Sequence, residues 1–340
     1  MKKIINLYIP LIIIVTFSLI TLYDYNFNYF IKQCIWLLFG FGIVLLSKHF
    51  KLNRIFKYSK YIYIFNVILL VLVLFFGKEI NGSKAWFDFK LFSFQPSELM
   101  KLSIALYLTN IFKEKNKFYF FKAIIVVIIP SLLVFFEPDT GAIIMYLVIY
   151  LSALFFSLKN KKIFFFFGII GIIFLGIFIW LYFKNIDILV KILGTSIFYR
   201  IDRIINFKNN YQLQNALICI GTTGFWGRNN KPMIYIPESV TDFMFARVIS
   251  IFGLISGIIL IICYFFILTY IILLLKKGTN KIFIFSFLWL FLFQIIQNVF
   301  MNIGLLPIMG IPLPFLSYGG SNTIIYFLLL AVTLRQEKSN

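Results

Sequence analysis

Glu238 and Asp242 stand four residues apart in PESVTDFMFA, Pro237 to Ala246, immediately before a long apolar run. On a helix that spacing puts both carboxylates on one face. Like charges so close raise the proton affinity of one of them, and a carboxylate titrating near neutral pH suits a general base. Glu98 and Lys101, spaced i,i+3 at the start of another apolar run, can neutralise each other at a membrane boundary or serve a substrate. Asp139, in EPDTG (Glu137 to Gly141), can hold a cation or stay in interfacial water. His49, the only histidine, lies beside Lys48 and near Lys51, which excludes a Ser-His-Asp triad. Cys34, Cys219 and Cys263 show no CxxC spacing and imply neither a disulfide framework nor a cysteine metal site. The chemistry must rest on carboxylates and cations.

Such residues need elements to position them. A chain of 340 residues with 61% hydrophobic content and mean hydropathy +0.96 lies far outside the soluble range. Its apolar runs are continuous rather than alternating, which predicts spanning helices and an all-α, polytopic integral membrane protein. Ten spans are expected: 4–23, 30–47, 61–76, 99–112, 123–136, 143–158, 163–183, 246–275, 282–299 and 323–334. Met1-Lys2-Lys3 opens like a signal peptide, but no small-residue cleavage site follows, so the first helix is expected to stay.

The net charge of +20 does not point to nucleic acid, because the bases sit in alternate loops. Clusters at Lys2–Lys3, Lys48–Lys60, Lys113–Lys122, Lys159–Lys162, Lys276–Lys281 and Arg335–Lys338 hold 19 of the 32. By the positive-inside rule these segments and both termini are cytoplasmic. Four polar, Pro/Gly-rich stretches then fall on the outer face: 81–101, 137–141, 236–243 and 305–322. Irregular backbone in a membrane protein is tolerated where it packs in protein or lines a cavity, so the four are expected to build one site. The chain is read as one domain, 1–340, with a large outer segment at about 184–242. Within it YQLQNALICIGTTGFWG, Tyr211 to Gly227, reads as a re-entrant or surface-lying helix ending in a Gly turn.

Taken in order, FSFQPSELMK (Phe92 to Lys101), EPDTG, YQLQNALICIGTTGFWG, PESVTDFMFA and NVFMNIGLLPIMGIPLPFLSYGGS (Asn298 to Ser321) resemble the blocks of the SEDS family (shape, elongation, division and sporulation). That resemblance implies a peptidoglycan glycosyltransferase of the bacterial cytoplasmic membrane that polymerises lipid II on the outer face. It places the family's catalytic carboxylate on Asp242, with Glu238 its neighbour. It puts Glu98, Lys101 and Asp139 around the cavity, and Arg203, four after Tyr199, on a Tyr-x-x-x-Arg spacing. Ser317 to Ser321 would shape the outer mouth, with Gly319 and Gly320 letting backbone approach substrate. A divalent cation, Mg or Mn, or Lys and Arg side chains would stabilise the diphosphate leaving group. The implied partners are a class B penicillin-binding protein and the elongation proteins MreC and MreD, and short cytoplasmic ends favour the elongation branch, RodA, over the division branch, FtsW. The chain departs from the family pattern at Ala85, Glu137, Ser250 and Ile251. A lipid II flippase and a non-catalytic scaffold are the competing readings, but a flippase needs polar groups towards both faces and here they collect at one.

Overall fold

The computed structural model describes residues 4–80, 83–89, 92–114, 118–159, 205–227 and 234–336, with scattered positions between 161 and 202. A π-helical turn, Ile4–Tyr8, leads into α1 (Ile9–Tyr25), followed by α2 (Phe27–Leu46), a short α3 (Leu52–Lys57) and α4 (Ser59–Phe76). Three short strands follow, β1 (Lys78–Ile80), β2 (Ser83–Asp88) and β3 (Ser93–Phe94), forming an antiparallel sheet in the order β1-β2-β3. Then come α5 (Pro96–Glu114), α6 (Tyr119–Phe136), α7 (Thr140–Ser157), α8 (Tyr211–Thr223), α9 (Met244–Phe252), α10 (Leu254–Lys277), α11 (Lys281–Asn302) and α12 (Gly320–Leu334).

Among the described residues, seven helices are long and apolar enough to cross a bilayer: α1 with its π turn, α2, α4, α6, α7, α10 and α11. The expected fourth and tenth spans are α5 and α12. α5 is the hub of the bundle, packed against α4, α6, α7, α11 and α12, which explains how it carries a buried Glu98 and Lys101 within an apolar bundle. α12, at 15 residues, lines up against α2 and is buried for most of its length. The expected span at 163–183 lies largely outside the described residues.

One expectation is corrected. The run 246–275 is not a single helix: it breaks at Gly253 into α9 and α10. Gly253 has φ +87°, and a Cβ there would come within 2.1 Å of the Phe225 carbonyl oxygen and 2.4 Å of the Gly227 nitrogen. The turn after α8 thus wedges against the chain at that point, and Leu254 N–H donates to the Gly224 carbonyl (3.0 Å). Only glycine meets both demands.

The ends of the bundle differ in chemistry. At one end Lys113 donates to Asn280, the Asn280 N–H donates to Gln336 Oε1 (3.0 Å) and Arg335 Nε donates to the Phe50 carbonyl (3.3 Å), which gathers the basic loops together. At the other end Ser83 donates to the Glu137 carbonyl, the Gln95 N–H to Ser321 Oγ (3.0 Å) and the Tyr318 N–H to the Val240 carbonyl (2.8 Å). These three ties join all four outer stretches. With the basic end in the cytoplasm, the polar end faces outward.

Candidate active site

Residues 237–243 form a turn rather than the start of a helix, since α9 begins only at Met244. Glu238 and Asp242 therefore do not share a helix face. Glu238 adopts φ +53°, in the left-handed region, and its carbonyl accepts from the Thr241 and Phe243 N–H groups. Its side chain accepts from Thr241 Oγ1 (2.8 Å). Strain at a non-glycine residue persists where the surroundings enforce it. Ser317 Oγ donates to the Thr241 carbonyl (2.6 Å), and the Asp242 carbonyl accepts from Asn298 Nδ2 (2.8 Å) and Asn302 Nδ2 (3.2 Å). The turn is fixed by its backbone, which leaves the half-buried Asp242 carboxyl available for chemistry.

Asp139 caps α7, accepting from the Ala142 N–H (3.0 Å), from Gln95 Nε2 (2.9 Å) and from Ser97 Oγ (3.5 Å). Gly141 brings this cap up to the loop 303–319: a Cβ there would lie 2.5 Å from the Met309 carbonyl oxygen. The next residue of that loop, Gly310, runs beside the catalytic candidate, a Cβ there lying 3.8 Å from Asp242 Oδ2. One loop thus bridges the Asp139 and Asp242 blocks. Below them Lys101 Nζ lies 2.6 Å from Glu98 Oε2, both residues buried, and 5.4 Å from the Tyr326 ring centre on α12.

Burial pushes the Asp242 carboxyl up to about 7, aided by the charges of Glu238 and then Asp139. Asp139 is raised too, chiefly by burial and further by Glu98, against the lowering effects of the Ala142 N–H, Lys101 and Ser97. Glu137, one of the departures from the family pattern, is fully buried, and among the described residues neither carboxyl oxygen has a hydrogen-bond partner. Burial, and then the charge of Asp139, push it up to about 8, so it is a neutral acid at pH 7 and stands in for an amide of the same shape. Its proton stays on in the folded chain to about pH 8, while the unfolded chain releases it near 4.5, so wild type loses stability as pH rises through that window. Glu137→Gln should therefore match wild type near pH 5 and exceed its Tm by several degrees near pH 8, measured by thermal unfolding in detergent.

The site residues expected from the sequence thus divide. Asp242, Glu238, Asp139, Glu98 and Lys101 come together at the outer end, and Ser317 holds the turn that carries Asp242. Gly319 N–H lies 3.4 Å from Gln33 Oε1, and the space at Gly320 is filled by the indole of Trp36, 2.4 Å from where a Cβ would stand. Arg203 lies outside the described residues. Arg247 was hidden in an apolar run: buried on α9, it pairs with Asp24 (2.9 Å), donates to Ser239 Oγ (3.3 Å) and sits 4.7 Å from the Tyr25 ring centre. α11 also has a polar face, in which Gln294, Gln297, Asn298 and Asn302 follow helical spacing and all four donate to the outer loops or to the turn that carries Asp242. Among the described residues no three His, Cys, Asp or Glu side chains converge as metal ligands.

Residues 2–340 match the family model of FtsW, RodA and SpoVE, described as a cell cycle protein. Curated relatives include the probable peptidoglycan glycosyltransferase FtsW of Coxiella burnetii, 30% identical over 92% of this chain and 87% of its own, and that of Wigglesworthia glossinidia brevipalpis, 32% identical over 92% and 84%. Among solved structures the chain is similar to one from a peptidoglycan synthase complex that coordinates polymerization and crosslinking, with TM-score 0.81 and 22% identity over 96% of this chain and 95% of that one. It is also similar to the rod shape determining protein RodA of Thermus thermophilus, with TM-score 0.71 and 22% identity over 96% and 94%. Those two likenesses concern the fold.

Proposed function

This chain belongs to the FtsW, RodA and SpoVE family, the SEDS proteins, and from that premise we propose that it is a peptidoglycan glycosyltransferase that polymerises lipid II on the outer face of the bacterial cytoplasmic membrane. One observation carries the reading. A half-buried carboxyl with a pKa near 7 stands at the outer end of the bundle on a turn held by other residues.

In this reading Asp242 takes the proton from the acceptor sugar's 4-hydroxyl. The freed oxygen attacks the anomeric carbon of the growing chain, the carbon–oxygen bond to the diphosphate breaks, and the α linkage is inverted to β. One carboxylate suffices because the diphosphate is a good leaving group that needs cationic stabilisation more than a general acid. Among the described residues no cluster of His, Cys, Asp or Glu offers an all-protein cage for a cation. A Mg or Mn ion would instead draw most of its oxygens from the diphosphate and water, as Mg commonly does. The cation would neutralise charge on the departing diphosphate.

A class B penicillin-binding protein as partner is supported by the likeness to a chain from a synthase complex, and MreC and MreD would accompany an elongation role. The curated relatives named FtsW favour division as a second reading, and septal against lateral localisation of a tagged chain separates the two. Purified protein supplied with labelled lipid II, alone and with a class B penicillin-binding protein, should form glycan strands. Absence of polymer in both samples would overturn the assignment in favour of flipping or scaffolding.

A further inference from the structure

The cytoplasmic half of the bundle carries a groove of about 250 Å³ that the outer chemistry does not use. It opens between α4, α5 and α6. Its walls are Ile64, Phe121, Ile125 and Ile129, which face outward from the bundle, and its floor is Tyr63, Tyr107 and Val126, which are buried. Lys60 and Lys122 stand at the rim, Lys122 Nζ lying 5.5 Å from the Tyr107 ring centre, and no acidic residue lines the groove.

Three features specify an occupant. The apolar walls suit a hydrocarbon chain rather than a soluble anion. Two ammonium groups at the cytoplasmic boundary suit one negatively charged headgroup. The Tyr63 hydroxyl, buried at 6% exposure, has no hydrogen-bond partner among the described residues, and an unmet buried hydroxyl calls for an acceptor. The spacing agrees, since Lys60, Tyr63 and Ile64 fall at i, i+3, i+4 on α4, and Phe121, Lys122, Ile125 and Ile129 share a face of α6.

We propose that this groove is a specific site for an anionic phospholipid of the inner leaflet. One acyl chain lies along Ile64, Phe121, Ile125 and Ile129, the phosphate sits between Lys60 and Lys122, and an ester oxygen of the lipid accepts from Tyr63. General attraction of basic loops to an anionic membrane is the competing explanation, and the molecule supplies its own control. A second cavity, of about 660 Å³, carries four cations, Lys48, Lys51, Arg54 and Arg335, against two at the groove, but has a more polar lining that includes His49 and Asn53.

Native mass spectrometry of the full chain, titrated with phosphatidylglycerol or phosphatidylcholine, tests the proposal on wild type, K60Q/K122Q, Y63F and K48Q/K51Q. Wild type should retain one phosphatidylglycerol in preference to phosphatidylcholine. Loss of the two rim lysines should weaken that binding about thirty-fold, Y63F should weaken it less, and K48Q/K51Q should leave it unchanged. Equal loss in both double variants, or equal binding of the two lipids by wild type, would overturn the site.

Discussion

Asp242→Asn is expected to lower glycan polymerisation by about 100- to 10,000-fold, the range by which a positioned general base contributes. The fold should survive. Asn298 and Asn302 hold the backbone carbonyl of residue 242, and Ser317 holds that of Thr241, so the side chain is not what fixes the turn. A half-buried carboxyl raised to about 7 also costs stability once ionised, so the neutral amide should unfold at the same temperature or higher. Activity lost with stability kept is the signature of a catalytic group. Stability lost with activity kept would mean that Asp242 is structural.

The largest effect on stability should come from Lys101→Ala, at about 3–5 kcal/mol, because it strands the Glu98 carboxylate inside the bundle. Lys101 is 1% exposed and also lies over the Tyr326 ring, so its loss weakens the contact between α5 and α12 as well. Replacing both partners with neutral residues of similar shape, Glu98→Gln with Lys101→Met, should recover most of that loss in a thermal unfolding measurement. Failure of the double variant to recover would show that the pair serves something beyond mutual neutralisation.

Much of this arrangement was legible in the residues themselves. The alternation of basic loops gave the orientation, and the four Pro/Gly-rich stretches that it placed outside are the ones joined by hydrogen bonds in the fold. What could not be read follows from geometry that spacing does not encode. The four-residue interval between Glu238 and Asp242 suggested a helix, but Glu238 in a left-handed conformation makes it a turn. Gly253 lies in a run whose apolar pattern continues through it, and the break there is required by Phe225 and Gly227, which precede it by 28 and 26 residues. Arg247 was hidden by the same run, and its partner Asp24 lies 223 residues away. The strands, of two to six residues, are too short for a periodic signal. The face formed by Gln294, Gln297, Asn298 and Asn302 was readable at helical spacing, and its polarity inside a spanning segment marked it as worth attention.

The most direct test of Asp242 as the base is the pH dependence of polymer formation in wild type and Glu238→Gln. A base must be unprotonated, so the wild-type rate should rise with pH through about 7. Removing the Glu238 charge removes one of the influences that raise Asp242, so the rising limb should move to lower pH while the plateau rate is retained. A limb that stays in place when Glu238 is neutralised, or a wild-type rate that does not change across neutral pH, would contradict the assignment.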